Sequence, residues 1–118
     1  MDTKLVIVVR KDLRMRRGKE IAQSIHAAIA FLANRKRKLN KVEKLWLGDG
    51  SAVIALQINS EEELLDVHYG AKSAGLASHL VRDSGKTEFA GQPTFTCLAI
   101  GPDCPELIDP ITGYLKLY

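Results

Sequence analysis

The 118-residue sequence contains little cysteine, few aromatic residues and no long hydrophobic run. Its two cysteines, Cys97 and Cys104, match neither a disulfide framework nor a paired metal clip, so we expect free thiols in a reducing compartment. No apolar stretch approaches the roughly 20 residues that span a bilayer, and the run at residues 4–9 is too short for the core of a signal sequence. These absences favour a cytoplasmic protein that has no membrane segment.

Motifs of several enzyme classes are missing as well. The three histidines are scattered without the paired spacing of a zinc site, and no Gly-x-Ser-x-Gly nucleophile elbow occurs. Gly18 and Lys19 are similar to the end of a phosphate-binding loop. However, Leu13 stands where that loop needs its first glycine, and Glu20 replaces the residue that would hold magnesium. The sequence excludes a nucleoside triphosphatase of this kind and predicts no metal and no cofactor.

The length and the hydrophobic content of the chain suit one compact domain spanning residues 1–118. Hydrophobic residues make up 46% of a chain that is long enough to bury a core without staples, and no repeat or linker interrupts it. Periodicity predicts strand, helix, helix, strand, helix, strand and strand in that order, which is an α/β layer structure on a mixed sheet. The predicted elements cover residues 4–10, 18–34, 38–46, 51–58, 60–75, 77–82 and 94–100.

Positive charge is concentrated in the first half of the chain. Residues 1–59 contain 13 lysines and arginines against 5 acidic residues, whereas residues 60–118 contain 4 against 9. Such local density is typical of a surface that binds a polyanion, with a plain solvated face as the alternative. The two basic clusters comprise Arg10, Lys11, Arg14, Arg16, Arg17 and Lys19, and then Arg35, Lys36, Arg37, Lys38, Lys41 and Lys44.

The predicted helix at residues 18–34 begins beside the first basic cluster and carries a polar stripe. Lys19, Gln23 and His26 recur at i, i+4 and i+7, so their side chains fall within about 60° of one another on a helix. The apolar residues of the same segment cluster on a different side, which we expect to face the core. These residues are Ile21, Ile25, Ala28, Ile29 and Leu32.

Two loops at the ends of predicted strands carry reactive side chains. The basic turn after the first strand leads to Lys19, and Asp83-Ser-Gly-Lys-Thr87 follows the third strand. In open α/β sheets, sites collect at the carboxyl ends of parallel strands, so both loops share one edge if these strands are parallel neighbours. The alternative for the second loop is a turn without further function, because Asp, Ser and Gly all stabilise turns.

Five segments together keep the order and spacing of a known family: residues 8–15 (VVRKDLRM), 18–27 (GKEIAQSIHA), 83–87 (DSGKT), 100–102 (IGP) and 107–118 (LIDPITGYLKLY). In them the chain resembles the archaeal and eukaryotic type of peptidyl-tRNA hydrolase. The resemblance implies a homodimer and a single three-layer α/β/α domain, for which we expect a mixed, largely parallel four-stranded sheet. Ser84 and Lys86 depart from the family pattern, which commonly has Ala and Arg there, and Lys86 lacks the bidentate fork of Arg.

The resemblance also implies an activity, the hydrolysis of the ester that joins a peptide to the 3′ ribose of tRNA. It makes Lys19, Asp83 and Thr87 the functional residues, with Gln23 and His26 lining the same site. We hypothesise that Asp83 orients or deprotonates water while its partner Lys19 stabilises the developing negative charge. Thr87 and Gln23 would position the substrate. For His26 we expect a buried imidazole bonded to a carbonyl, with a proton shuttle as the alternative.

The implied partner is peptidyl-tRNA, held at its acceptor stem and 3′ end. We expect phosphate contacts without base reading, because only 6% of the residues are aromatic. The alternative function is a non-catalytic RNA-binding or protein-adaptor module that retains this fold. The residues predicted to bind tRNA are Arg10, Lys11, Arg14, Arg16, Arg17 and Lys86.

Overall fold

One mixed sheet forms the middle of the molecule. The computed structural model describes residues 2–34, 36–85 and 89–118, and within them four strands pair in the order β2-β1-β4-β3. Strand β1 occupies a central position, where its apolar run is buried on both faces as the sequence predicts. The strands are β1 (Lys4–Arg10), β2 (Val53–Ile58), β3 (Ser78–Asp83) and β4 (Thr94–Asp103).

The directions of the strands confirm a mixed sheet but correct one prediction. Strand β1 pairs parallel with β2, whereas β4 pairs antiparallel with both β1 and β3. The expectation of a largely parallel sheet is wrong, because β4 inserts between β1 and β3 and runs against both. Strands β1 and β3 are therefore not neighbours. They nevertheless run in the same direction, so their carboxyl ends lie at the same edge of the sheet.

Helices cover both faces of the sheet, which confirms the three-layer α/β/α arrangement. On one face lie α1 (Arg17–Ile29), continued by a 3₁₀ turn at Ala30–Leu32, and α2 (Lys41–Gly48). On the other face lie α3 (Glu61–Ser73) and α4 (Pro105–Thr112). None of the helices in the described ranges has the length and apolar character needed to cross a membrane.

Helix α4 is absent from the predicted order. A proline near the start of a helix is favourable, and Pro105 occupies that position. A second proline, Pro110, lies inside the helix, and an internal proline is normally a signal against helix. Burial of Ile108 in the core under the sheet holds this short helix in place despite Pro110.

Side-chain caps set the starts of two helices. Asn40 Oδ1 accepts from the Glu43 N–H at 2.8 Å, and Glu43 Oε1 accepts from the Asn40 N–H at 2.9 Å. This capping box makes α2 begin at Lys41, later than the expected residue 38. In α3, Ser60 Oγ accepts from the Glu63 N–H at 3.0 Å, as the sequence predicts.

Helix α1 packs on the sheet through the side that carries Gln23, the middle residue of its polar stripe. The buried residues of the helix are Gln23 and Ala27. The prediction that the apolar side faces the core is therefore wrong. Periodicity identifies the residues that share a face, but packing on β3 and β4 decides which face is covered. The predicted core residues instead reach the surface: Ile21, Ile25, Ile29 and Leu32 are exposed, and Ala28 is half-buried.

Candidate active site

An ion pair joins α1 to the end of β3. Lys19 is the third residue of α1, and Asp83 is the last residue of β3. The Lys19 Nζ donates to Asp83 Oδ1 at 2.6 Å, and the two side chains keep only 15% and 8% of their surface exposed. The Phe89 ring centroid lies 5.7 Å from the Lys19 Nζ. The polar stripe and the loop after β3 thus meet at one edge of the sheet.

The loop after β3 holds the second oxygen of Asp83. The Gly85 N–H donates to Asp83 Oδ2 at 2.8 Å. Gly85 has a φ of +83°, and a Cβ at this position would lie 2.5 Å from the main-chain oxygen of Gln92. Only glycine fits here, because any side chain would collide with backbone.

The ionisation of Asp83 is determined by the hydrogen bonds that its carboxylate accepts. The bond from Lys19 is the main cause of a pKa below the ordinary value, burial opposes it, and the Gly85 N–H adds to the lowering. Asp83 is therefore a carboxylate at neutral pH. A cation and an anion are held next to each other in a largely buried place.

Gln23 lies one helical turn after Lys19 and is buried. Its side-chain Oε1 accepts from the Thr96 hydroxyl at 2.7 Å, and its main-chain oxygen accepts from the Cys97 thiol at 3.4 Å. Burial raises the pKa of Cys97 to about 11, so the thiol keeps its proton. Sequence reasoning did not find Thr96, whose signal is a hydroxyl in the middle of a buried apolar strand.

His26 lies on the surface of α1. The expectation of a buried imidazole bonded to a carbonyl is wrong, because α1 presents its Gln23 and Ala27 side to the sheet and the stripe turns outward by residue 26. Over seven residues a helix rises about 10 Å, so His26 lies about that far from Lys19 along the axis. His26 thus faces solvent at the far end of the stripe.

The predicted tRNA-binding residues fall into different environments. Arg10 is buried and donates to both carboxylate oxygens of Asp12, at 2.7 and 3.1 Å, and to the main-chain oxygen of Phe95 at 3.0 Å. This placement does not fit a phosphate contact, so we do not propose Arg10 as a residue that binds tRNA. The remaining described residues of the set are exposed: Lys11, Arg14, Arg16 and Arg17.

Two predicted site residues, Lys86 and Thr87, lie outside the described residues. In the sequence they are the third and fourth residues after Asp83. Across residues 2–34, 36–85 and 89–118, no group of three or more His, Cys, Asp or Glu side chains is arranged to hold a metal ion.

A largely buried lysine and carboxylate make this edge of the sheet a candidate functional site, and the exposed arginines that precede Lys19 are typical of a surface that attracts a polyanion. Comparison with family models identifies the particular family. The family model described as Peptidyl-tRNA hydrolase PTH2 matches residues 3–118 of this chain. The chain belongs to this family, and as a member it is an enzyme of the peptidyl-tRNA hydrolase class.

Individual relatives match over nearly the whole chain. A peptidyl-tRNA hydrolase of Methanocaldococcus jannaschii is 44% identical over 115 residues, which cover 97% of this chain and 98% of the relative. One of Methanopyrus kandleri is 47% identical over 115 residues and 97% of both chains. A probable peptidyl-tRNA hydrolase 2 of Dictyostelium discoideum is 43% identical over 117 residues, which are 99% of this chain and 55% of that relative.

Proposed function

We propose that this chain hydrolyses the ester bond between a peptide and the 3′ ribose of tRNA, with Lys19 and Asp83 as its catalytic pair. The observation that supports this proposal is the 2.6 Å contact between the two side chains at the edge where β1 and β3 both end. The substrate is a product of translation, so we place the protein in the cytoplasm.

Asp83 orients the attacking water, and Lys19 stabilises the negative charge that develops in the transition state. A lowered pKa makes Asp83 a weak base, so its carboxylate orients the attacking water and takes up a proton only as the new C–O bond forms. Attack gives a tetrahedral intermediate whose oxyanion is stabilised by the Lys19 ammonium. Collapse of the intermediate breaks the bond to the 3′ oxygen, which takes the proton held by Asp83 and leaves as the hydroxyl.

Three further residues contact the substrate in this proposal. Thr87 is the fourth residue after Asp83 in the sequence and supplies a hydroxyl for hydrogen bonding. Gln23 supplies amide N–H donors one turn from Lys19. His26 is exposed at the far end of the same stripe, so it contacts a part of the substrate away from the ester.

The tRNA is held by its phosphates. The exposed residues Lys11, Arg14, Arg16 and Arg17 lie at or just before the start of α1, and Lys86 adds a charge three residues after Asp83 in the sequence. Phosphate contacts of this kind position a duplex without reading its sequence. Many tRNA species should therefore be substrates.

The experiment that tests the activity is release of the peptide from N-acylated aminoacyl-tRNA by the purified protein. Lys19→Ala and Asp83→Ala should each lower kcat by roughly 100-fold or more, because each removes stabilisation of the transition state. The matched controls are Lys4→Ala and Asp109→Ala, which break another 2.6 Å ion pair, located at the start of β1. These controls should retain the wild-type rate.

The outcomes distinguish an enzyme from an adaptor. Near-wild-type rates in Lys19→Ala or Asp83→Ala would refute the assignment of the catalytic pair. Tight binding of tRNA by the wild type without release of the peptide would instead select the non-catalytic module.

We also propose that the exposed apolar side of α1 is the surface on which two copies form a homodimer. Ile21 and Ile25 keep 55% and 52% of their surface exposed. They line a groove of about 430 Å³ that is also lined by Val53 and Ala55 of the edge strand β2 and by Tyr118, and Val53 is exposed as well. Contiguous exposed apolar surface of this kind is typical of a protein interface.

Sedimentation equilibrium tests the dimer. Wild-type protein should sediment as a dimer, and Ile25→Glu should shift it to a monomer, because a carboxylate would be buried without a partner. Leu107→Glu is the matched control, since Leu107 is exposed to a similar extent on α4. A monomeric wild type, or a dimer that survives Ile25→Glu, would refute this surface.

A further inference from the structure

A β-bulge in β4 lies directly beneath the polar stripe of α1. Val81 of β3 pairs with Cys97, whereas the next residue, Arg82, pairs with Phe95, so Thr96 is an extra residue that has no partner on β3. Bulges of this kind interrupt the alternation of side chains along a strand and commonly redirect one of them beside an active site.

The bulge changes the face on which Thr96 lies. Cys97 packs in the core under α1, while Leu98 and Phe95 pack in the core on the opposite face. Regular alternation would place Thr96 on the opposite face together with Leu98. Instead, Thr96 and Cys97 both contact Gln23 of α1. Two successive residues thus point to the same side of the sheet.

Both contacts restrict Gln23. The Cys97 thiol donates to its main-chain oxygen at 3.4 Å, and the fully buried Thr96 hydroxyl donates to its Oε1 at 2.7 Å. The amide group is planar, so an oxygen held at β4 turns the two N–H donors away from the sheet. The Cα–Cβ bond of a helical residue leans toward the N-terminus, which brings these donors toward the turn of Lys19.

We propose that Thr96 is a positioning residue of the active site, which holds the Gln23 amide with its oxygen toward β4 and its N–H donors toward the substrate beside Lys19. Thr96 itself is buried and does not touch the substrate. The inference rests on the proposed function, because it requires that Gln23 donates to the peptidyl-tRNA ester. Without the hydroxyl the amide is free to rotate, and its donors lose their direction.

Four variants test this role by their kcat and KM for N-acylated aminoacyl-tRNA. Thr96→Val should lower kcat/KM roughly tenfold, the effect of about one lost hydrogen bond, and Thr96→Ser should restore it. Thr112→Val is the matched control, because Thr112 is also a buried threonine whose hydroxyl bonds to a carbonyl, but it lies on α4. Gln23→Glu keeps the acceptor for Thr96 and removes the donors, so it should lose at least as much activity.

A double variant and a spectroscopic signal separate positioning from general destabilisation. In the Gln23→Glu background, Thr96→Val should cause little further loss, since its effect acts through the amide. The ¹⁵N relaxation of the Gln23 side-chain NH₂ group should report a rigid amide in the wild type and in Thr96→Ser, and a more mobile amide in Thr96→Val.

Several results would overturn the inference. The first two are a folded Thr96→Val that keeps the wild-type kcat/KM, and a Thr112→Val whose kcat/KM falls as much as that of Thr96→Val. The other two are losses of kcat/KM that add in the double variant, and a fully active Gln23→Glu. This last variant remains decisive even if Thr96→Val fails to fold. A wild type that releases no peptide refutes the proposed function instead, and the ¹⁵N relaxation of the Gln23 side chain then still decides whether Thr96 holds the amide.

Discussion

At the scale of single residues, the pair of Lys19 and Asp83 depends on the hydrogen bonds around it. The carboxylate has one oxygen on Lys19 and the other on the Gly85 N–H, and both contacts favour its ionised form. Its pKa is lowered mainly by Lys19 and less by Gly85, against the effect of burial. Removal of the lysine therefore removes the largest cause that lowers the pKa of Asp83 and also changes the geometry of the site.

Lys19→Met should raise the pKa of Asp83, because it removes the largest cause of the lowering. The pKa is measured by ¹³C NMR titration of the Asp83 carboxyl carbon, with Lys4→Met as a control that leaves it unchanged. An unaltered titration in Lys19→Met would contradict the role given to the ion pair.

The same shift predicts how acid affects stability. The folded pKa of Asp83 is depressed, so its contribution to stability is complete above the ordinary carboxyl pKa of about 4 and is lost as the pH falls through the folded value. Urea unfolding followed below pH 5 should show a shallower loss of stability for Asp83→Asn than for the wild type. An equal dependence of the unfolding free energy on pH in the two proteins would contradict this contribution of Asp83.

At the scale of elements, the C-terminal residues form a strap over the edge of β2. The Gln57 N–H donates to the Lys116 oxygen, the Tyr118 N–H donates to the Ala55 oxygen, and both bonds are 3.0 Å long. The Tyr118 hydroxyl bonds to the Glu20 carboxylate of α1. The last residues thus cover part of an otherwise open strand edge and join β2 to α1, which is a structural role.

Tyr118→Phe should lower Tm by roughly 2–5 °C near pH 8, because it removes one hydrogen bond to a carboxylate. The bond to Glu20 is the main cause that raises the pKa of Tyr118 to about 12, so this stabilisation is complete below about pH 10 and lost as the pH rises toward 12. Thermal unfolding monitored by circular dichroism is the measurement. Tyr114→Phe, at another exposed tyrosine, is the control; an equal fall in Tm there would contradict the strap.

At the scale of the whole molecule, charge is distributed unevenly around the site. The exposed basic residues at the start of α1 lie next to Lys19, whereas α3, on the far side of the sheet, begins with three glutamates. The field should therefore guide a polyanion toward the edge where the catalytic pair lies.

The KM for peptidyl-tRNA should rise steeply with salt, since each phosphate contact releases counterions. Replacing Arg14 and Arg17 by alanine should reduce the slope of log KM against log salt by about 1 for each lost contact. Lys72→Ala removes an exposed cation from α3 and serves as the control. A KM insensitive to salt, or an equal change in the control, would argue against this binding surface.

Local patterns explain why part of the fold was predictable. The β-branched run of residues 4–10 forms a strand with those bounds, because such side chains suit a strand buried on both faces. The Ser60 cap and Gly75, with a φ of +78°, bracket α3 because both act through the nearest residues of the backbone. Lys19 and Asp83 could be assigned to one site because the family resemblance names both residues, and because the segments that carry them follow two strands whose carboxyl ends lie at one edge of the sheet.

By itself, then, the sequence determined the order of most elements, the residues that share each face, and the family. Only the tertiary structure decided that α1 turns its polar side inward and leaves Ile21 and Ile25 exposed, that β4 separates β1 from β3, and that Thr96 reaches Gln23. Periodicity and caps depend on neighbours along the chain, whereas burial and strand pairing depend on which distant surfaces come together. A single bulge at Thr96 reverses the direction of a side chain, and the local pattern shows only a hydroxyl within an apolar strand, not the bulge itself.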